Sequence, residues 1–229
     1  MKTIGLLGGM SWESTLGYYR AINEGIRQEL GGLHSAKIAL YSVDFEPIEK
    51  LQHAGDWEGT AEVLAEAALA IQAAGADFLL ICTNTMHKVA PEIEAAIDIP
   101  LLHIADATAE VLMAEGIKTV GLLGTAFTME QQFYRGRLEN EHGLRVLVPN
   151  REDRKTVHRV IYRELCLGLC EPESKAEYLR IVRDLADRGA KAVILGCTEI
   201  GMLIKPGDTE VRLLDTMTIH AQKAVEYAI

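Results

Sequence analysis

The feature that most constrains this sequence is an internal duplication. The segment KTVGLLGT, which starts at Lys118, repeats KTIGLLGG from Lys2, and RGAKAVILGC, which ends at Cys197, repeats AGADFLLICT, which ends at Thr83. A repeat with a period of 114 to 116 residues is far longer than one solenoid unit, so each copy is a complete arrangement of helices and strands. The 229 residues therefore predict two homologous halves.

Short apolar segments alternate with longer amphipathic segments in both halves. In the first half, TIGLLG, AKIALYSV, ADFLLIC and PLLHI are predicted strands, and TLGYYRAINEGIRQEL and GTAEVLAEAALAIQAAG are predicted helices. Fully apolar strands between helices are typical of a parallel sheet covered on both faces. The predicted fold class is therefore α/β, with two pseudo-symmetric Rossmann-like domains. Each has a mostly parallel sheet flanked by helices, and the active site is expected between them.

The end of the chain has no later counterpart in the duplication. The segment RLLDTMTIHAQKAVEYAI is a predicted strand and helix, and we expect both to cross back and complete the first half. The predicted first domain is residues 1–103 with 215–229, and the predicted second domain is residues 104–214.

Charge and composition exclude several classes of function. The formal net charge is -10 and no local cluster of Lys and Arg occurs, which argues against a nucleic-acid partner. No run of 18 apolar residues exists, and the first apolar run is broken by glycines, so we expect neither a membrane segment nor a signal peptide. The four cysteines do not form a disulfide framework. We therefore expect a cytoplasmic protein with free thiols.

Four polar loops follow the predicted strands, namely GGMSWEST, CTNTMH, GTAFTM and GCTEIG. In open parallel sheets, ligands bind beyond the carboxyl ends of the strands. Backbone N–H groups, hydroxyls and the positive ends of following helices favour anions there. The sequence lacks G-x-G-x-x-G and GK[ST], so a dinucleotide or nucleoside triphosphate site has little support. The loops predict a site for a small anion.

Cys197 is the strongest candidate for chemistry. It ends a predicted buried strand and precedes a predicted helix start, where the pKa of a thiol is lowered, and a thiolate can act as nucleophile or base. The duplication aligns Cys197 with Thr83. Because side chains alternate between the faces of a strand, Cys82 is predicted to pack in the core.

The remaining cysteines and three histidines have weaker claims. Cys166 and Cys170 are four residues apart on one predicted helix face, but no further ligands accompany them, so a zinc site is not expected. His103 and His220 adjoin apolar runs and are predicted to be structural. His87 closely follows the CTNT loop and is a candidate to line the site.

The motifs GLLGGMSWEST, CTNTMHKV, LLGTAFTM and ILGCTEI resemble the aspartate/glutamate racemase superfamily, in its aspartate racemase branch, over essentially the whole chain. The resemblance implies a PLP-independent isomerase with no cofactor, a homodimer, and a small acidic amino acid as substrate. Members of the family place two cysteines on opposite faces of the amino acid's α-carbon. One cysteine removes the α-proton and the other delivers a proton to the opposite face.

Thr83 departs from the pattern of that family, which has Cys-Asn-Thr where this chain has Thr-Asn-Thr. A threonine hydroxyl is a far weaker acid than a thiol and cannot be a resting base near neutral pH. By resemblance, Cys197 would deprotonate L-aspartate or L-glutamate, and the Thr83 side would return the proton. We therefore predict an asymmetric racemase that acts on L-substrates and handles D-substrates poorly or not at all.

Substrate-binding candidates come from the same loops and from two positions outside them. Donors that would support the developing charge on the α-carboxylate are Asn84, Thr85 and Thr198. Further contacts to the substrate are expected from Met10, Thr125 and Thr128. Candidates for the side-chain carboxylate are Gln52 and Arg163.

Two other readings of the motifs stay open. The first is a single-cysteine decarboxylase or isomerase of the same fold, and the second is a non-catalytic protein that binds acidic amino acids. The GGMS, GTxxTM and NTxH features favour the amino-acid racemase.

Overall fold

The computed structural model describes all residues from Met1 to Ile229, and the chain divides into two compact units. Unit 1 comprises Met1–Ile104 and His220–Ile229, and unit 2 comprises Ala105–Ile219. Each unit contains one parallel sheet with flanking helices, which confirms the predicted α/β class. None of the helices combines the length and the apolar content that crossing a bilayer requires.

The elements alternate along the chain as a βα fold demands. The strands are Ile4–Gly8 (β1), Ile38–Ser42 (β2), Phe78–Ile81 (β3), Thr119–Gly124 (β4), Arg145–Leu147 (β5), Ala192–Gly196 (β6) and Arg212–Asp215 (β7). The helices are Trp12–Leu30 (α1), Phe45–Ala54 (α2), Trp57–Ala73 (α3), Ala90–Ala96 (α4), Ile104–Ala114 (α5), Ala126–Glu130 (α6), Gln132–Gly136 (α7), Arg151–Arg163 (α8), Pro172–Asp187 (α9), Ile200–Leu203 (α10) and Thr216–Ala228 (α11). Short 3-10 turns occupy Thr85–Val89, Leu165–Leu167 and Pro206–Asp208.

Unit 1 is built on a three-stranded parallel sheet in the order β2–β1–β3. All residues of β1 and β3 are buried, as expected for strands covered on both faces. The segment PLLHI was predicted as a further strand, but only Leu101 pairs with the sheet, opposite Leu79. That prediction is wrong because Pro100 has no N–H to donate and α5 begins at Ile104, which leaves too little chain for a strand.

Unit 2 has a four-stranded parallel sheet in the order β5–β4–β6–β7. Strand β7 pairs with β6, with Asp215 opposite Leu195. We expected the last strand and helix both to complete the first half, and for the strand this is wrong. From His220 onward helix α11 belongs to unit 1, while α5 from Ala105 onward belongs to unit 2.

The part of helix α11 from His220 onward packs into the core of unit 1. The Tyr227 ring packs edge-on against Phe78 of β3, with ring centroids 4.8 Å apart. The backbone N–H of Lys2 donates to the carbonyl of Ala228 at 2.8 Å. The core of unit 1 therefore needs residues from both ends of the chain.

Candidate active site

The sequence predicts ten catalytic or substrate-binding residues. Nine of them are buried in the structure, and the exception is Arg163. Unit 1 holds Met10, Gln52, Thr83, Asn84 and Thr85. Unit 2 holds Thr125, Thr128, Arg163, Cys197 and Thr198. Each unit places its buried loop residues directly after the carboxyl ends of two neighbouring strands, β1 and β3 in unit 1 and β4 and β6 in unit 2.

The turn after β1 is held by a chain of short hydrogen bonds. Gly9 has a φ of 95°, which favours glycine, and its N–H donates to the Thr15 hydroxyl oxygen at 2.7 Å. The Thr15 hydroxyl donates in turn to the carbonyl of Ser11 at 2.9 Å. The Ser11 side chain caps α1 by accepting from the backbone N–H of Ser14. Met10 is thereby fixed, buried, at the start of the turn.

The loop after β3 separates a core cysteine from the polar candidates. Cys82 is buried, its N–H donates to the Leu7 carbonyl, and its own carbonyl accepts from the Ser14 hydroxyl at 3.3 Å. Burial raises the pKa of the Cys82 thiol, so that thiol stays protonated and packs in the core, as predicted. Thr83 follows Cys82 just after the end of β3 and is buried, with 9% of its surface exposed.

His87 contacts the backbone of this loop. Its Nδ1 lies 2.8 Å from the carbonyl oxygen of Thr83, and its Nε2 accepts from the backbone N–H of Ile104 at 3.3 Å. Both ring nitrogens are therefore engaged with the main chain of unit 1, which assigns His87 to the support of the loop.

The loop after β4 is organised by two threonines and a histidine. Thr125 caps α6 by accepting from the N–H of Thr128, and the two hydroxyl oxygens lie 3.2 Å apart. The next N–H, of Ala126, donates to Nδ1 of His158 on α8 at 3.1 Å. His158 also packs beside Tyr162, with ring centroids 4.9 Å apart. Sequence reasoning missed His158 because its contact depends on how α8 packs, and no local motif records that.

The loop after β6 joins a thiol, a hydroxyl and a carboxylate. The Cys197 thiol donates to Oε2 of Glu199 at 2.9 Å, and the Thr198 hydroxyl donates to the same oxygen at 2.9 Å. All three residues are buried. Glu199 was not among the predicted site residues, although a carboxylate two positions after the thiol in GCTEI was an available signal.

The pKa of Cys197 is raised well above its ordinary value, chiefly by burial and then by the negative charge of Glu199. The expectation that a helix start would lower it is wrong. Helix α10 has only four residues, so its positive end is weak beside these two effects. The thiol is therefore protonated at neutral pH in the resting protein, and Glu199 accepts its hydrogen bond.

Two glycines allow the strand end that carries Cys197 to pack closely. Gly124 of β4 and Gly196 of β6 lie opposite each other in the sheet. A Cβ at Gly196 would lie 2.8 Å from Leu122 Cδ1 and 2.9 Å from the Leu123 carbonyl oxygen. Any larger residue at Gly196 must therefore shift the backbone next to Cys197.

Three sequence expectations concern the end of α8. Arg163 is the last residue of this helix and is exposed. Cys166 and Cys170 were expected on one helix face, which is wrong, because the helix has already ended. Cys166 lies in a 3-10 turn, and Gly168, in the left-handed conformation with a φ of 74°, separates it from Cys170.

One cluster has the composition of a cation site, formed by Asp106, Glu141 and His142, whose potential ligand atoms lie within 4.8 Å of one another. The Arg137 guanidinium donates two hydrogen bonds to the Asp106 carboxylate, at 2.6 and 2.7 Å. Asp106 is thus already paired with a cation, and the group does not fit a metal ion.

The chain is a two-domain α/β protein in which each unit has a parallel sheet and polar strand-end loops, and one loop carries a buried thiol bonded to a carboxylate. The chain matches the Asp/Glu/Hydantoin racemase family over residues 7–224 and belongs to that family. It is an amino-acid racemase by class, and the family's isomerases work without a cofactor.

Relatives agree with this assignment. The chain is similar to the broad specificity amino-acid racemase RacX of Bacillus subtilis (strain 168), with 22% identity over 174 residues that cover 74% of this chain and 73% of the relative. Among solved structures it is similar to an aspartate racemase homologue from Pyrococcus horikoshii OT3, with 37% identity, a TM-score of 0.86, and coverage of 100% of this chain and 99% of that one.

Two further solved structures extend the comparison. A Yersinia pestis protein with a provisional Asp/Glu racemase assignment has 54% identity and a TM-score of 0.93, and covers 100% of this chain and 99% of its own. The aspartate racemase of Picrophilus torridus has 20% identity and a TM-score of 0.77, with coverage of 100% and 94%, and shows the shared fold.

Proposed function

We propose that this protein is an asymmetric racemase of L-aspartate and/or L-glutamate, in which Cys197 removes the α-proton and the Thr83 side returns a proton to the opposite face. The observation that carries the proposal is the 2.9 Å hydrogen bond from the Cys197 thiol to Glu199. The similarity to an aspartate racemase homologue supports an acidic amino acid as substrate.

The first half of the reaction begins with the thiol proton. Cys197 is protonated at rest because its pKa is raised, so it must lose that proton before it can act as a base. The Glu199 carboxylate is in hydrogen-bond contact with the thiol and accepts its proton, which leaves a thiolate. The thiolate then takes the α-proton of the L-amino acid, and the electron pair of the broken C–H bond stays on the α-carbon and its carboxylate.

Buried donors would stabilise that charge. Fixed hydroxyl and amide groups in a buried site stabilise a developing anion more than water does, because they need not reorganise. Asn84 and Thr85 in unit 1 and Thr198 in unit 2 are buried and carry such groups. We assign them to the α-carboxylate, and Gln52, which is also buried, to the side-chain carboxylate. Arg163 is exposed and is the weaker candidate for that role.

The second half of the reaction is the more difficult one. Thr83 donates its hydroxyl proton to the carbanion, and the alkoxide left behind takes a proton from water. The hydroxide formed in that step is neutralised by the proton that Glu199 received from Cys197, which restores the resting site. Because the two enantiomers have equal free energy, net conversion must be equally efficient in both directions. The asymmetry therefore appears in proton exchange, since an L-substrate can exchange its α-proton at Cys197 without inverting, whereas a D-substrate has to react through Thr83.

Proton NMR of L- and D-aspartate and of both glutamates in heavy water, without added cofactor, tests the proposal directly. We expect the α-proton signal to disappear faster from the L-forms, and chiral separation of the same samples to show slower formation of the D-product. Cys197→Ser should lower exchange about 100-fold or more, and Cys170→Ser, at an exposed thiol, should not change it.

Three outcomes would contradict the proposal. Equal exchange rates for L- and D-substrates would remove the asymmetry. Exchange that survives in Cys197→Ser would remove the assigned base. No exchange from any of the four amino acids, with the protein folded, would favour a decarboxylase or a binding protein instead.

A further inference from the structure

Three buried histidines and a tyrosine form one cluster inside unit 1. His87 packs beside His103 and His220, with ring centroids 4.4 and 6.1 Å away, and Tyr18 packs edge-on against His220 at 5.6 Å. All four side chains are buried, with at most 6% exposed. The proposed reaction uses none of them. Buried polar rings of this kind need specific partners, so their hydrogen bonds indicate what the cluster holds in place.

The hydrogen bonds of His87 fix its tautomer. The N–H of Ile104 can only donate, so Nε2 of His87 is the acceptor and carries no proton. The proton is therefore on Nδ1, which donates to the carbonyl oxygen of Thr83 at 2.8 Å. His87 is a neutral ring that connects the peptide of Thr83 to the backbone of Ile104.

His220 makes a similar connection with the opposite tautomer. Its Nε2 lies 2.7 Å from the carbonyl oxygen of Leu102, which can only accept, so Nε2 carries the proton. The Tyr18 hydroxyl then donates to Nδ1 at 2.8 Å. Burial, together with the nearby His87, lowers the pKa of His220 to about 3, in agreement with a neutral ring.

His87 and His220 both bond to the backbone near the point where the chain passes from one unit to the other. The chain leaves unit 1 after Ile104 and returns to it at His220. The cluster therefore holds three segments in one place, namely the outgoing chain through Leu102 and Ile104, the returning helix α11 through His220, and the Thr83 loop through His87. Of these, the Thr83 loop is the only one that carries a proposed proton donor.

We propose that His87 is the positioning residue for Thr83. Its Nδ1–H holds the Thr83 carbonyl, and because the carbonyl and the side chain of one residue share a Cα, this bond holds in place the backbone from which the hydroxyl projects. The proposal rests on the proposed function of Thr83. A group displaced by about 1 Å from its productive position can lose about 100-fold in rate, so one such bond has a measurable effect.

Two substitutions at His87 separate its two hydrogen bonds. In His87→Asn the amide nitrogen occupies the place of Nδ1 and keeps the donor to Thr83, while the acceptor for Ile104 is lost. In His87→Gln the longer amide reaches the place of Nε2 and keeps an acceptor for Ile104, while the donor to Thr83 is lost. Tyr18→Phe is the matched control, because it removes a buried hydrogen bond of the same cluster without contacting Thr83.

The readout is the ratio of inversion to α-proton exchange for L-aspartate and L-glutamate in heavy water. Exchange needs Cys197 and its partner Glu199 but not Thr83, whereas inversion also needs Thr83. We expect His87→Gln to lower this ratio about 10-fold or more, and His87→Asn and Tyr18→Phe to leave it near the wild-type value. A general loss of folded protein lowers both rates together and does not change the ratio.

Amide hydrogen–deuterium exchange of the peptide spanning residues 82–87 gives a second readout that requires no activity. His87→Gln should increase deuterium uptake there more than His87→Asn does. If the wild type exchanges no α-proton, the proposed function fails, and the uptake data alone decide whether His87 holds the loop. An unchanged ratio in an active, folded His87→Gln variant, or equal uptake in both variants, would overturn the positioning role.

Discussion

The Cys197 thiol and the Glu199 carboxylate form a donor–acceptor pair 2.9 Å apart at the end of β6. The same carboxylate oxygen also accepts from the Thr198 hydroxyl, which fixes its position. Burial, and after it the negative charge of Glu199, raises the thiol's pKa and keeps the proton on sulfur, yet the carboxylate is also the group that can receive it. Glu199 therefore has two opposite effects on Cys197, and they can be measured separately.

Glu199→Gln should make Cys197 more reactive and the enzyme slower. Without the charge, the pKa of the thiol falls toward its ordinary value, so iodoacetamide should alkylate Cys197 several-fold faster at neutral pH. Because Gln cannot accept the thiol proton, the rate of α-proton exchange of L-aspartate should be lower in the variant than in the wild type. The remaining rate should increase with pH, because the thiol proton must then be lost to solvent. Glu210→Gln, at an exposed site, is the control. Unchanged alkylation would show that the charge does not act on Cys197.

Thr83→Val should separate exchange from inversion. Valine retains the branched shape of threonine but has no proton to donate, so D-product formation should fall about 100-fold or more while exchange of the L-substrate continues. Thr83→Cys should increase exchange of the D-substrate, since a thiol can be a base. The control is Thr119→Val, at the amino end of β4. Loss of L-exchange in folded Thr83→Val would give Thr83 a different role.

His220 should make the folded protein sensitive to acid. Its pKa is about 3 when folded and about 6.5 when unfolded, so between these values the unfolded chain binds the additional proton. The contribution is fully present above about pH 6.5 and is lost as the pH falls, by at most about 1.4 kcal/mol per pH unit. Urea unfolding from pH 7 to pH 4 measures this, and the slope should be smaller in His220→Gln. Equal slopes would exclude His220 as the cause.

Gly196→Ala should destabilise unit 2 and disturb Cys197. The new Cβ would meet the Leu123 carbonyl at 2.9 Å, and overpacking of this kind costs about 1–3 kcal/mol in the free energy of unfolding. Gly207→Ala is the control, because no heavy atom lies within 4 Å of a Cβ there. Urea denaturation compares the two variants. Similar stabilities would mean that the strand end relaxes without cost.

The pattern of apolar and amphipathic segments predicted the α/β class and the polar strand ends, because strand type and side-chain burial follow from local apolar patterning. The placement of β7 did not follow from that pattern, since an apolar segment carries no mark of which sheet it joins. PLLHI likewise has the composition of a strand, but Pro100 and the early start of α5 leave only Leu101 paired.

The chemistry of the site depended more on three-dimensional contacts. A cysteine before a helix ordinarily has a lowered pKa, but in this fold burial and Glu199 outweigh a helix of four residues. The roles of His87 and His158 depend on which backbone groups their ring nitrogens meet. Such contacts join residues 17 and 32 positions apart in sequence, and no local motif predicts them.

The return of helix α11 to unit 1 has a consequence for synthesis on the ribosome. Unit 2 is one continuous segment, whereas unit 1 requires His220–Ile229, which are made after the whole of unit 2. The order usual for multidomain chains, in which the amino-terminal part folds first, is therefore reversed. The nascent amino-terminal half has to wait with part of its core uncovered until unit 2 and the segment His220–Ile229 have been made.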